Sequence, residues 1–307
     1  MEFIETVDLG RSFGEVVAIE GLNLHVREGE VFGFLGPNGA GKTTTVRILC
    51  CLIGPTEGKA YVAGNEVGRE PDSMNIRGMV GLLPEAPGLY ERLSAYKNLD
   101  FYGRLYGVGE RRRERIEELL KWLDLWDRRD QPVSTFSKGM KQKIAIVRAM
   151  VHEPPILFLD EPTAGLDPVA AKTVRDFLLE LRGEGRTIFL NTHNLYEAEK
   201  VCDRIGVVNT HLLAQGTPRE LSARYWKPAS VVRLREATED VIRAVEALDF
   251  VESLEVEDGE LHIALEDPKA SNPIVARTIM EAGGEIEFII EKERGLEDVY
   301  MRLVGES

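Results

Sequence analysis

The stretch GPNGAGKT at residues 36–43 has the residue types and spacing of a phosphate-binding loop, G-x-x-x-x-G-K-[ST]. It lies between an apolar run, VFGFL, and a helix-like run, which is the strand–loop–helix context such a loop requires. Gly36, Gly39 and Gly41 let backbone N–H groups converge on phosphate oxygens. Lys42 can reach β- and γ-phosphates, and the Thr43 hydroxyl can ligate Mg²⁺. A helix starting near Gly41 adds the positive end of its dipole. Further along, ILFLDEPTAGLD (156–167) reads as a buried strand ending on two carboxylates. Asp160 is placed to hold Mg²⁺, and Glu161 to take a proton from an attacking water. His193 ends another strand-like run, RTIFLNTH, so in a parallel sheet it faces the same phosphates.

A second anion site stands in TFSKGMKQKIAIVRAM (135–150). Ser137 and Gly139 open a helix-like run there, and a helix N-terminus with free N–H groups binds phosphate. The lysines that follow, Lys141 and Lys143, read as a solvated basic face.

These groups need elements to hold them. Residues 1–35 alternate in the manner of strands, and GAGKTTTVRILCCLI reads as one helix launched from the loop. A mostly helical stretch spans about 94–150, and from 156 strands and helices alternate. The expected class is α/β: a parallel-sheet core, an antiparallel N-terminal β lobe and a helical insertion. RYWKPAS (224–230) reads as a junction, because Pro228 interrupts regular structure and the charge balance changes there. Beyond it come strand 230–236, helix 238–248, strands 250–257 and 260–266, helix 271–283, strand 285–291 and helix 295–303. That order resembles a split βαβ, ferredoxin-like α+β domain. The division is 1–225, with the helical part at about 94–150, and 229–307.

The 307 residues carry a formal net charge of -14 and 43% hydrophobic residues, an ordinary globular composition. From Ala229 to Ser307 there are 8 Lys and Arg against 20 Asp and Glu. So acidic a tail domain repels nucleic acid, and no nucleic-acid partner is expected. The three cysteines, Cys50, Cys51 and Cys202, have no C-x-x-C spacing and read as small buried hydrophobes. MEFIETVDLG lacks the basic region and apolar core of a signal peptide, and no apolar run has the length of a membrane span. A cytosolic protein that can dock on a membrane protein is expected.

Taken together, and in this order, the motifs resemble the nucleotide-binding subunit of an ATP-binding cassette (ABC) transporter over residues 1–225. The resemblance implies ATP and Mg²⁺ as ligands and a phosphate-loop NTPase core with a RecA-like lobe. GPNGAGKTT is then the Walker A loop, in which Pro37, Asn38, Ala40 and Thr44 join the glycines, Lys42 and Thr43 around the nucleotide. Phe13 stands where the family stacks an aromatic ring on adenine. LLPEAP (82–87) looks like the Q-loop, FSKGM (136–140) like the signature, AGLD (164–167), with Asp167, like the D-loop, and His193 like the switch histidine.

Two positions depart from the family pattern. Glu85 replaces the Q-loop glutamine and brings a further carboxylate towards Mg²⁺ and the lytic water. The signature is Phe-Ser-Lys-Gly-Met in place of Leu-Ser-Gly-Gly-Gln, with Ser137 and Gly139 kept. The resemblance implies that two copies pair head to tail, each signature covering the ATP on the partner's Walker A loop. It also implies a separate membrane permease, at the cytoplasmic face of the cell membrane, and an exporter rather than an importer. Two other readings stand beside it: a soluble ABC ATPase acting on nucleic acid or ribosomes, and a binding-only regulatory cassette.

Overall fold

The computed structural model describes residues 2–226, 228–257, 259–292 and 295–305. Met1–Thr217 forms most of one compact unit and Pro218–Arg302 the other. Strands β1 (Glu2–Phe13) and β2 (Val16–Arg27) pair as an antiparallel hairpin, turning at Gly14 with φ +61°. From Leu22 to Arg27, β2 alternates buried and exposed residues, the signature of a sheet with one face on a core, whereas register shifts against β2 break the alternation in β1. With β4 (Glu57–Val62) and β5 (Asn65–Glu66) they make an antiparallel sheet of order β2-β1-β4-β5.

The second sheet of this unit holds the chemistry. Strand β3 (Val31–Leu35) is buried at every residue, as are β7 (Ile156–Asp160) and β8 (Thr187–Thr192). Such uninterrupted burial belongs to parallel strands covered on both faces. With β6 (Val80–Leu83), β9 (Arg204–Asn209) and β10 (His211–Gly216) they order as β10-β9-β3-β8-β7-β6, parallel except for the β9–β10 pair. Phe32, Phe34 and Phe158 surround Phe189 at ring distances of 5.2 to 5.7 Å. The same core takes in Ile4, Leu22 and Leu24, so the antiparallel lobe and the parallel sheet are held as one body. The register aligns Leu35 with Thr192 and Asp160 with Asn191, which brings three functional turns out at one edge.

Helix α1 (Lys42–Leu49) follows β3, and α2 (Asp72–Met79) precedes β6. The sequence pattern carried α1 on through the two cysteines; it stops at Leu49 because Cys51 takes φ +54°. The helical part contains α3 (Ala95–Leu105), α4 (Arg112–Trp122) and α5 (Lys138–Met150). Helix α6 (Pro168–Gly183) joins β7 to β8, and α7 (Leu195–Val201) joins β8 to β9.

The second unit starts with α8 (Pro218–Tyr225), ahead of the 224–230 junction read from composition, whose Lys227 lies outside the described residues. It continues as β11 (Ala229–Leu234), α9 (Glu239–Glu246), β12 (Val251–Glu257), β13 (Glu260–Leu265), α10 (Pro268–Glu281), β14 (Ile286–Lys292) and α11 (Leu296–Gly305) as far as Arg302. The sheet order β12-β13-β11-β14, antiparallel throughout, is that of the ferredoxin-like arrangement. Val241 and Val245 of α9 and Val275 and Ile279 of α10 pack on Val232, Leu261 and Ile263. Helix α10 starts earlier than its sequence pattern indicates, because Asp267 caps it and Pro268 fits the first turn.

Candidate functional site

A cleft of about 370 Å³ opens where β3, β7 and β8 end. Asn38, Gly39, Gly41, Lys42, Thr43 and Thr44 line it from the loop side, and Glu85, Asp160, Glu161 and Asn191 from the opposite side. The loop can take this path because of its glycines. Gly41 sits at φ +88°, with the Ala18 carbonyl oxygen where a Cβ would go. No side chain caps α1, whereas α3, α5, α6 and α7 are each capped by Ser94, Ser137, Asp167 and Asn194. The first N–H groups of α1 are therefore donors available to an anion.

The Lys42 ammonium donates to the carbonyls of Gly36 (2.7 Å) and Pro37 (3.0 Å), which aims it back over the loop. Burial lowers its pKa, and the charges of Glu161 and Asp160 oppose that shift. Thr43 donates its hydroxyl to Asp160 Oδ2 at 3.0 Å, and the Asn191 amide donates to Asp160 Oδ1. Asp160 is 3% exposed; burial raises the pKa of its carboxyl, the two hydrogen bonds lower it, and Glu161 and Glu85 raise it further. Glu161 holds φ +51°, a conformation that costs a non-glycine residue about 1–2 kcal/mol. Its N–H donates to the Asn191 carbonyl at 2.8 Å, and its Oε1 lies 2.8 Å from His193 Nδ1.

The oxygen set suits a hard divalent cation. Thr43 Oγ1 and Asp160 adjoin, and Asn191 Oδ1 is buried beside them without a hydrogen-bond partner. Among the described residues no three His, Cys, Asp or Glu side chains form a metal cage of their own. Such a cation would complete its shell with substrate phosphates, the usual arrangement for Mg²⁺.

Phe13, Ser137, Gly139 and Asp167 do not line the cleft. Phe13 ends β1 with 46% of its surface exposed, and the Arg11 guanidinium lies 4.5 Å from its ring centroid. Ser137 caps α5, its hydroxyl accepting from the Met140 N–H at 3.3 Å, and is exposed. None of residues 136–140 lines the cleft. Asp167 caps α6, accepting from the Val169 and Ala170 N–H groups at 3.0 Å each. The lysines after the signature are not a solvated face. Lys141 pairs with Glu91 at 2.6 Å, and Lys143 donates to the Leu123 carbonyl at the end of α4.

Two residues of this machinery escaped the sequence reading. Asn191 orients Asp160, and only the NTH run around it hints at the role. Arg148, 7% exposed, donates to the Leu82, Pro87 and Gly88 carbonyls and so ties α5 to the segment carrying Glu85.

The buried Asp160 charge has a stability consequence. A carboxyl whose folded pKa is raised favours the fold below its unfolded pKa and disfavours it once pH passes the folded value. Asp160→Asn should therefore raise the Tm of the ligand-free protein at pH 7 by a few degrees, about 2–4 °C per kcal/mol. The gain should shrink as pH falls towards about 4. A lower Tm at pH 7 in a thermal scan would contradict this account.

A loop of this kind with a carboxylate-ended strand and a histidine on one sheet edge defines a phosphate-loop nucleoside triphosphatase. A family model described as ABC transporter matches residues 19–164. The chain is 38% identical over 301 residues to the daunorubicin resistance ATP-binding protein DrrA3 of Streptomyces coeruleorubidus, covering 97% of this chain and 94% of that one. It is 33% identical to the Nod factor export ATP-binding protein I of Rhizobium sp. (strain N33), covering 98% and 97%. A solved structure described as the ATP binding subunit of an ABC transporter superposes with TM-score 0.66 at 32% identity, covering 73% of this chain and 93% of that one. Another, the post-hydrolysis dimer of the ATP-binding cassette MJ0796 bound to ADP and Pi, gives TM-score 0.64 at 27% identity, covering 70% and 98%. The chain belongs to the ABC transporter family, as an ATP-binding, ATP-hydrolysing subunit.

Proposed function

We propose that this chain powers an exporter whose membrane-spanning permease is a separate polypeptide, and that it works as a head-to-tail pair. The observation that carries the pairing is the placement of the two anion clamps. Lys42, Thr43 and Asp160 line the cleft, while Ser137 and Gly139 stand outside it at the exposed start of α5. A second copy turned about a two-fold axis brings the missing clamp to each cleft. Relatives named for drug resistance and for Nod factor export support the direction of transport. Among the described residues no helix is long and apolar enough to cross a membrane, which fits a motor docked on a permease at the cytoplasmic face. In this reading the unit of Met1–Thr217 carries the ATPase, and the unit of Pro218–Arg302 forms an accessory domain.

Each residue then has a task in hydrolysis. Backbone donors of 36–44 and the Lys42 ammonium bind the triphosphate, and Phe13 supports the adenine. Thr43 and Asp160, with Glu85 near, are the residues that would hold Mg²⁺, which neutralises charge on the transferred phosphoryl group. Glu161 accepts the proton of the attacking water, and His193 holds its carboxylate in place from 2.8 Å. Ser137 and Gly139 of the second copy clamp the γ-phosphate, so hydrolysis waits for pairing. The complete set of Lys42, Asp160, Glu161 and His193 speaks against a binding-only cassette.

Because each site is shared, turnover per subunit should rise with protein concentration before levelling off, in the presence of Mg²⁺ and saturating ATP. A dilution series with parallel light scattering tests this. Constant specific activity across about a hundredfold dilution, with monomers throughout, would sink the shared-site reading.

A further inference from the structure

Glu197 lies on α7, four residues after His193, and its side chain is fully buried. A carboxyl in such a place is expensive unless its hydrogen bonds are used. Burial raises its pKa, and two threonine hydroxyls partly offset that. Its Oε2 accepts from Thr163 Oγ1 at 2.8 Å and from Thr192 Oγ1 at 3.3 Å, while Oε1 is buried without a partner. The Thr192 hydroxyl accepts from the Asn194 N–H at 3.0 Å, and the Asn194 side chain accepts from the Glu197 N–H at 3.1 Å. These bonds close a ring around His193, fixing the residue before it and the residue after it. The other arm reaches Thr163, two residues beyond Glu161. None of Glu197, Thr163 and Thr192 lines the nucleotide cleft.

We infer that Glu197 is a positioning residue that sets His193 and the turn after Glu161 in register with each other, without touching the nucleotide. This rests on the assignment of Glu161 as base and His193 as its holder. The 2.8 Å contact between them joins two separate turns, one after β7 and one after β8. Glu197 is a buried group whose side chain bonds to both turns, beyond the strand-end bonds that Asn191 makes to Asp160 and to the Glu161 N–H, so losing it loosens the two turns against each other. Small displacements of a catalytic pair reduce rate far more than binding.

The test uses the full chain, with kcat, affinity for a fluorescent ATP analogue, and Tm. Glu197→Ala should lower kcat about 10- to 100-fold and leave nucleotide affinity within about twofold. Glu197→Gln keeps an acceptor oxygen for both threonines and should restore kcat to within about threefold of wild type. In a His193→Ala background, adding Glu197→Ala should change kcat by no more than about twofold, because the two act as one unit. Wild-type kcat in Glu197→Ala, a glutamine variant no better than alanine, or fully additive losses would each overturn the inference. If Glu197→Ala does not fold, Thr163→Val and Thr192→Val each remove one donor; both should slow turnover, and wild-type rates in both overturn the inference. Undiminished turnover in His193→Ala alone would instead strike at the site assignment on which the inference stands.

Discussion

Glu161→Gln should lower ATP turnover by about 10²–10⁴-fold, the range expected for losing a general base, with nucleotide affinity nearly unchanged. The substitution is close to isosteric, and the residue's surroundings hold its shape. Its N–H is bonded to the Asn191 carbonyl, its backbone is already set at φ +51°, and its side chain is 14% exposed. A glutamine oxygen can still meet His193 Nδ1, so the local structure survives while the proton acceptor is lost. Ground-state binding uses Lys42, Thr43 and the loop N–H groups, none of which changes. ATP should then accumulate uncleaved, and the variant should elute as an ATP-dependent dimer on size exclusion. Single-turnover kinetics with labelled ATP checks the chemical step directly. Turnover within about fivefold of wild type would remove Glu161 from the role of base.

The parts of this site that were legible in the sequence are those whose residues are neighbours in the chain. GPNGAGKT and the Asp160–Glu161 pair each place their groups within one turn, so residue order alone specifies the geometry. Asn191, Arg148 and Glu197 were opaque for the opposite reason. Their partners lie 31, 61 and 34 residues away, and only the packing of β7, β8 and α5 brings them together. Lys141 and Lys143 illustrate the same limit. A run of lysines looks like a wetted face until Glu91 and the end of α4 are known to lie beside it. The fold was readable at the level of order and class because buried parallel strands and amphipathic helices have distinct periods. Helix ends were less so: a single residue at positive φ, Cys51, stops α1 where the apolar pattern runs on.

Mixing two inactive variants should recover activity that neither shows alone. Ser137→Arg places a bulky cation at the N-cap of α5, where it removes the hydroxyl that accepts from the Met140 N–H and obstructs the anion clamp. Lys42→Ala removes the ammonium held over the loop by the Gly36 and Pro37 carbonyls. Ser137→Arg subunits keep an intact Walker A loop and should still bind ATP. In a mixed dimer, that loop faces the intact signature of the Lys42→Ala subunit, while the second site combines both lesions. With random pairing at equal concentrations, about half of the dimers are mixed and each has one sound site. The ceiling is therefore about one quarter of the wild-type rate per subunit, and less if both sites must close together. A signature acting on its own chain's nucleotide predicts the reverse. No pairing could then repair either variant, and the mixture would stay at the sum of its parents. Steady-state ATPase measured across mixing ratios separates the two outcomes, since a shared site gives a maximum at equal proportions. Normal hydrolysis by Ser137→Arg alone would exclude the signature from the site altogether.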